Sequence, residues 1–135
     1  SKPVVLSPNF QRPFELATDT SRSSMAAILS QRNDDGQEHV IAYISRTLLP
    51  AEKNYPIIEL LEIAAIAWAC KRLDQYIFGH FCGVYCDHKP LQYLRNVAQH
   101  SIRLAKYFLI LQRYDLQIVW RRGVDSTNVD SMTRQ

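Results

Sequence analysis

Residues 54–79, NYPIIELLEIAAIAWACKRLDQYIFG, decide how the rest of the chain is read: they are apolar on nearly every face yet carry Glu59 and Glu62 in their first half. A helix that is hydrophobic all round is a buried one. A carboxylate set into such a helix is costly unless something positive, such as an arginine, or a water-filled edge meets it. Asn54 is suited to cap the start, and Pro56 falls in the first turn, where a missing N–H does no harm. Gly79 is suited to end a looser continuation from Arg72 to Phe78. The pattern predicts a central helix bearing one or two acidic groups, and the question becomes what neutralises them.

Upstream of this helix, Phe14-Glu15-Leu16-Ala17-Thr18-Asp19 alternates apolar and polar at period two and reads as a strand ending in Asp19. Met25 to Leu29 forms a second strand, and Asn33-Asp34-Asp35-Gly36 supplies the turn that returns His39 to Ile44 as a third. Downstream, Phe81 to Cys86 is a β-rich run ending at Asp87, Pro90 to Arg95 and Ile102 to Gln112 read as helices, and Leu116 to Trp120 reads as a last strand. Ser126 or Thr127 is placed to cap a short closing helix that holds Asp130. The order βββαβααβα predicts an α/β fold, a five-stranded mixed sheet of three antiparallel strands and then parallel additions, with helices on both faces.

With 135 residues, 47% of them hydrophobic, the chain is sized for one domain with a real core. Residues 1–12 are irregular and punctuated by proline, and read as the tail of a preceding segment; residues 13–135 read as the domain proper. A formal charge of +3 permits a nucleic-acid partner without requiring one. Cys70, Cys82 and Cys86 are odd in number and lack a disulfide-framework spacing, and no positively charged, apolar leader opens the chain, so an intracellular, reducing setting is the expectation. The longest apolar run is interrupted by Glu59 and Glu62 and is too short to span a membrane, which needs about 20 residues.

The chemistry is carried by carboxylates. Asp19 and Asp87 each stand at the carboxyl end of an apolar strand, the edge at which open α/β sheets place ligands and reactions. If those strands are neighbours, Glu62 from the crossing helix and Asp130 from the closing helix are able to join them. Four carboxylates that close cannot all ionise unaided. A divalent cation removes the difficulty, and Mg²⁺ prefers a few carboxylate oxygens while keeping several waters. Taken singly, each aspartate is an ordinary turn or cap residue; the reading depends on the fold gathering all four.

His80, Cys82, Cys86 and His88 imitate a zinc site. At about 3.3 Å per residue in a strand, Cys82 and Cys86 lie about 13 Å apart, too far for one metal, and both cysteines are more simply small core hydrophobes. Basic residues are scattered from the Asp87 edge onwards, mostly on solvated faces. Lys89, Arg121 and Arg122 are the best placed along the chain to meet phosphates.

From about Pro3 to Arg134 the sequence resembles the ribonuclease H domain of gypsy-type LTR-retrotransposon reverse transcriptases. The stretches that carry the resemblance are PNFQRPFELATDTS, IAYISRTLLPAEKNY, the glutamate-bearing helix, CDHKPLQYL and NVDSMTR, in that order and spacing. The resemblance implies the ribonuclease H fold and an Asp-Glu-Asp-Asp site, carried onto Asp19, Glu62, Asp87 and Asp130. It implies hydrolysis of the RNA strand of RNA/DNA hybrids during reverse transcription, using two Mg²⁺ ions about 4 Å apart, with Mn²⁺ able to substitute and no small-molecule cofactor. Asp19 would bridge both ions, Glu62 and Asp87 would complete one site, and Asp130 the other. Specificity would come from 2′-hydroxyls and groove shape rather than base edges. The implied partners are the hybrid and a polymerase domain of the same polyprotein, in a cytoplasmic retrotransposon particle and without a membrane.

The sequence departs from that family in three places. Ser24 and Ala26 stand where glycines are usual after the first aspartate. Arg121-Arg122-Gly123 stands where many ribonucleases H have a loop histidine. The spacing from Tyr55 to the catalytic glutamate is one residue longer than usual, which leaves Glu59 as a rival to Glu62. The alternative to an active nuclease is an inert tether of the same fold that holds hybrid or packs against the polymerase, although a tether has no reason to keep four ordered carboxylates.

Overall fold

The computed structural model describes residues 7–55, 58–86 and 102–120. Strands β1 (Phe14–Thr20), β2 (Ser24–Arg32) and β3 (Glu38–Thr47) form an antiparallel meander. Both hairpins are set by short polar side chains. In the first, Ser21 Oγ accepts from the backbone N–H groups of Ser23 (3.2 Å) and Ser24 (3.1 Å), bending the chain back one residue after β1. In the second, Asn33 Oδ1 accepts from the N–H groups of Asp35 and Gln37, both at 2.9 Å, and Gly36 takes φ +79°, which a side chain would resist. Ser24 and Ala26 lie within β2, and no described residue other than glycine has positive φ, so this hairpin forms without the family's usual glycines.

Between β2 and β3 the register slips: Leu29 pairs with Ala42 but Ser30 pairs with Val40, so Ile41 is the extra residue of a β-bulge. The bulge turns two successive side chains, Ile41 and Ala42, into the core. Strand β4 (Cys82–Cys86) adds to β1 in parallel, and β5 (Leu116–Trp120) adds to β4 in parallel, giving the order β3-β2-β1-β4-β5. The expected mixed five-stranded sheet is therefore present, and β5 has the predicted bounds.

The central helix differs in detail from its sequence reading. Helix α1 (Pro50–Lys53) precedes it, and Asn54 closes that turn by donating its N–H to Ala51 O, with Tyr55 N–H donating to Glu52 O, rather than capping a helix that follows. Pro50 in the first turn and Glu52 two residues on are helix-start signals; the stronger apolar run overshadows them in the sequence. Helix α2 (Ile58–Arg72) is the expected buried helix, continuously buried from Leu60 to Ala67. Leu73 interrupts it before the short α3 (Asp74–Ile77), and Gly79 ends the segment at φ +82° as expected. Helix α4 (Ile102–Leu111) follows, and the predicted helix at Pro90 to Arg95 lies outside the described residues.

Alternation decides which face the helices cover. Phe14 and Leu16 of β1, Ala27 and Leu29 of β2, and Val84 of β4 pack against Ile63, Ile66 and Cys70 of α2, Ile77 of α3 and Leu104 of α4. Each fully buried Leu, Ile or Phe in this layer contributes about 1.5–3 kcal/mol by leaving water. On the opposite face Ala17, Asp19, Ile28 and Tyr43 are exposed, so among the described residues the helices cover one face rather than both. Among those residues no helix is long and apolar enough to cross a membrane.

Candidate active site

Because β1 pairs in parallel with β4, and β4 with β5, the carboxyl ends of all three strands reach the same edge of the sheet. Asp19 is the penultimate residue of β1, paired with Ala26 of β2, and its side chain is exposed. Its exposure follows from register: Phe14, Leu16 and Thr18 point into the core, so Glu15, Ala17 and Asp19 point away.

Thr20 points back toward α2. Its hydroxyl donates to Glu62 Oε1 at 2.8 Å, and Glu62 is only 4% exposed. A hydroxyl donor at this distance offsets part of the cost of burying a carboxylate in an apolar helix. The answer to what meets the central glutamate therefore includes a threonine one residue beyond Asp19, at the sheet edge. Sequence reasoning does not single out Thr20. The signal is there in principle, since residue 20 is one alternation step beyond the buried Thr18. Thr18 Oγ1 is itself buried and has no hydrogen-bond partner among the described residues.

The structure thus brings Asp19 and Glu62 to one end of β1. Cys86, the last residue of β4, lies at the same edge, and Asp87 is the next residue in the chain. Asp87, Asp130, Lys89, Arg121 and Arg122 lie outside the described residues, as does the side chain of Glu59. Among the described residues no three His, Cys, Asp or Glu side chains gather as a metal-binding group. The described carboxylates at this end of β1 are Asp19, exposed on its outer face, and Glu62, buried beside Thr20, and carboxylate oxygens suit a hard cation such as Mg²⁺.

Cys82 and Cys86 are buried as core residues. Burial pushes the Cys82 thiol up to about 12, so it stays protonated and is a poor ligand. The His80 ring stacks at 4.9 Å from Phe10, at the amino end of β4 and away from Cys86. His88 lies outside the described residues.

Beside the site, Arg46 of β3 grips Glu52 of α1 with two hydrogen bonds, at 2.8 and 2.7 Å, while Leu49 N–H donates to the same carboxylate at 2.7 Å. Arg46 also lies 5.2 Å from the centre of the Trp68 ring. Tyr55 and Tyr107 share a 2.6 Å hydrogen bond that ties the approach to α2 onto α4, and burial, helped by that bond, pushes the Tyr107 phenol up. The Arg46 to Glu52, Arg46 to Trp68 and Tyr55 to Tyr107 contacts are not visible in the sequence, because each joins residues from different elements.

Comparison with known proteins gives a consistent picture. The family model for the RNase H-like domain found in reverse transcriptase matches residues 9–114. The chain is 34% identical, over 98% of its length, to the retrovirus-related Pol polyprotein from transposon 297 of Drosophila melanogaster, and 30% identical over 100% of its length to that from transposon gypsy of the same organism. It spans 12% and 13% of those polyproteins. Among solved structures, a foamy viral protease-reverse transcriptase in complex with dsDNA superposes with a TM-score of 0.68 at 15% identity, covering 88% of this chain and 25% of that one. The same viral protein in complex with RNA/DNA hybrid gives 0.64 at 14% identity, covering 88% and 16%. RNase H1 from the archaeon Halobacterium salinarum gives 0.52 at 12% identity, covering 89% and 92%. At these identities the structural likeness speaks for the fold.

Proposed function

Because the chain belongs to the RNase H-like domains found in reverse transcriptases, of the kind carried by gypsy-like transposon Pol polyproteins, we propose that it hydrolyses the RNA strand of RNA/DNA hybrids during reverse transcription, as part of a polyprotein that also carries a polymerase. The observation that supports this most is the Thr20 to Glu62 hydrogen bond, which sets a buried carboxylate beside the strand end that carries Asp19.

In this reading Asp19, Glu62, Asp87 and Asp130 hold two Mg²⁺ ions, for which Mn²⁺ can substitute. Bound there, the ions supply charge neutralisation at the scissile phosphate and lower the pKa of attacking water. The protein's own part is positioning. Burial of Glu62 within α2 and its bond to Thr20 fix one carboxylate before substrate arrives, and the paired strands fix the backbone of Asp19, so little reorganisation accompanies the reaction. Lys89, Arg121 and Arg122 contact substrate phosphates, and the RNA strand is chosen through its 2′-hydroxyls. Residues 1–12 lead from the polymerase, residues 13–135 form the nuclease, and the assembly works in a cytoplasmic particle.

The test is a gel assay of the chain on hybrid labelled in the RNA strand, with Mg²⁺, with Mn²⁺ or with EDTA. RNA-strand fragments in either metal and none in EDTA are expected. Hybrid binding without any fragments would favour the inert tether.

A further inference from the structure

Thr20 is the last residue of β1, and the hydroxyl that it donates to Glu62 is held from two sides. Within the strand Thr20 pairs with Met25 of β2, and immediately after it Ser21 N–H donates to Ser24 O at 2.8 Å, which closes the turn. A β-branched side chain has few χ1 choices, so a fixed backbone also fixes the hydroxyl. The acceptor is held as firmly. Met25 packs with Leu48, Leu61 and Ala65 in a buried cluster of its own, and Leu61 and Ala65 stand one residue before and three residues after Glu62 in α2. That cluster joins the strand partner of Thr20 to the flanks of Glu62, so packing on both sides sets the 2.8 Å approach of hydroxyl to carboxylate.

The neighbouring threonine provides a contrast within the same strand. Thr18 lies two residues earlier on the same face of β1, and its buried Oγ1 has no hydrogen-bond partner among the described residues. Of the two hydroxyls that β1 turns toward the helix layer, the one at the catalytic edge carries the bond to Glu62.

The last torsion of a glutamate side chain is soft, so the plane of its carboxylate is set by what the oxygens touch. Thr20 restrains that plane through Oε1 before any ion arrives. How much the restraint matters depends on the ion. Mg²⁺ demands near-ideal octahedral geometry at about 2.0–2.1 Å and gives up water reluctantly, so a carboxylate free to turn is a poor ligand for it. Mn²⁺ takes the same oxygen donors but is larger and tolerates a wider range of ligand geometry.

We infer that Thr20 is a positioning residue that makes the site selective for Mg²⁺, by holding the Glu62 carboxylate in an orientation that Mg²⁺ requires and Mn²⁺ does not. The inference rests on the proposed nuclease reading, in which Glu62 is a metal ligand, and adds to it the determinant of metal preference.

The experiment compares the native chain with Thr20→Val, Thr20→Ser and Thr18→Val. Cleavage of labelled hybrid is followed across Mg²⁺ and Mn²⁺ concentrations, and each ion is titrated calorimetrically into the protein without hybrid. Thr20→Val should need about 10–100-fold more Mg²⁺ for half-maximal cleavage and bind Mg²⁺ more weakly by a similar factor, the usual effect of removing the hydrogen-bond partner of a metal ligand. In Mn²⁺ it should stay close to the native chain, and its KM for hybrid should not change. Thr20→Ser should recover the use of Mg²⁺, and Thr18→Val should match the native chain. Thr20→Ala, which loses the same hydroxyl, is read in place of Thr20→Val if the latter does not fold. If the native chain cleaves hybrid and Thr20→Val keeps the native Mg²⁺ midpoint, or loses the use of both ions by the same factor, the selectivity role is overturned and the nuclease reading stands. A Thr18→Val shift as large as that of Thr20→Val would overturn it equally. A native chain that cuts no hybrid in either ion would overturn both readings.

Discussion

Thr20 and Glu62 are 42 residues apart in sequence and 2.8 Å apart in space, one closing a strand and the other standing within the buried helix that crosses it. That hydrogen bond joins the central helix to the edge of the sheet. Replacing Thr20 with Val removes the hydroxyl at nearly constant volume and should cost about 1–3 kcal/mol, because a buried carboxylate loses a donor. Thr20→Ser keeps the donor and should recover most of the loss. Urea unfolding of both variants checks this, and equal stability of the Val variant and the native chain would show that the bond contributes little.

A second consequence concerns acid. Hydrogen bonds from Arg46 hold the Glu52 carboxyl below its ordinary 4.5, against the opposing effect of burial. The folded state therefore binds this proton less tightly than the unfolded chain does. Stability from the pair is fully present above that ordinary value and is lost as pH falls through the lower folded value. Glu52→Gln should lower stability at neutral pH by less than the about 3–5 kcal/mol of a fully buried pair, since the Arg46 side chain keeps 26% exposure. The same variant should also lose less stability than the native chain on acidification below pH 4.5. Parallel melting curves across that range would expose a mistaken assignment if the two proteins lost stability equally.

Much of the fold is legible in the sequence because its signals are local. The alternation in Phe14 to Asp19, the Asn33 to Gly36 turn, the all-round apolarity of α2 and the β-rich Leu116 to Trp120 each express one element's own physics. The Ile41 bulge, the Thr20 hydroxyl and the Arg46 to Glu52 pair are not legible, because each depends on which elements become neighbours. Asn54 shows the same limit from the other side: its capping chemistry does mark a helix boundary, but the boundary is the end of α1 and not the start of the central helix. For the site, Asp19 can be placed at a strand end and Glu62 in the buried helix from sequence, whereas the packing of α2 that sets Glu62 against Thr20, next to Asp19, is a tertiary contact.

The two glutamates of α2 differ in what surrounds them along the chain. From Glu62 the third and fourth residues onward are Ala65 and Ile66, both fully buried, while from Glu59 they are Glu62 and Ile63. Glu59 also lies in the first turns of the helix, where a carboxylate gains from the dipole without a metal. Glu62→Gln should eliminate Mg²⁺-dependent cleavage, and Glu59→Gln should cost less than about tenfold, or about 1.4 kcal/mol. Single-turnover rates on one hybrid decide, and the reverse ranking would move the metal ligand to Glu59.

Phosphate contacts are expected to dominate hybrid binding, so affinity should fall steeply with salt, by about 0.9 in slope for each phosphate neutralised. Neutralising Arg121 and Arg122 together should flatten the slope by up to about 1.8. A slope that does not change would return both residues to a solvated face.

The central claim is that Asp19 is a catalytic ligand at the carboxyl edge of β1 and carries no share of the fold's stability. Its side chain is exposed, and the register of β1 with β2 does not depend on its charge. The most direct test is the cleavage rate of Asp19→Asn on RNA/DNA hybrid in Mg²⁺, read beside its unfolding curve. Cleavage should vanish while stability and hybrid affinity stay near those of the native chain. Cutting at close to the native rate would contradict the account.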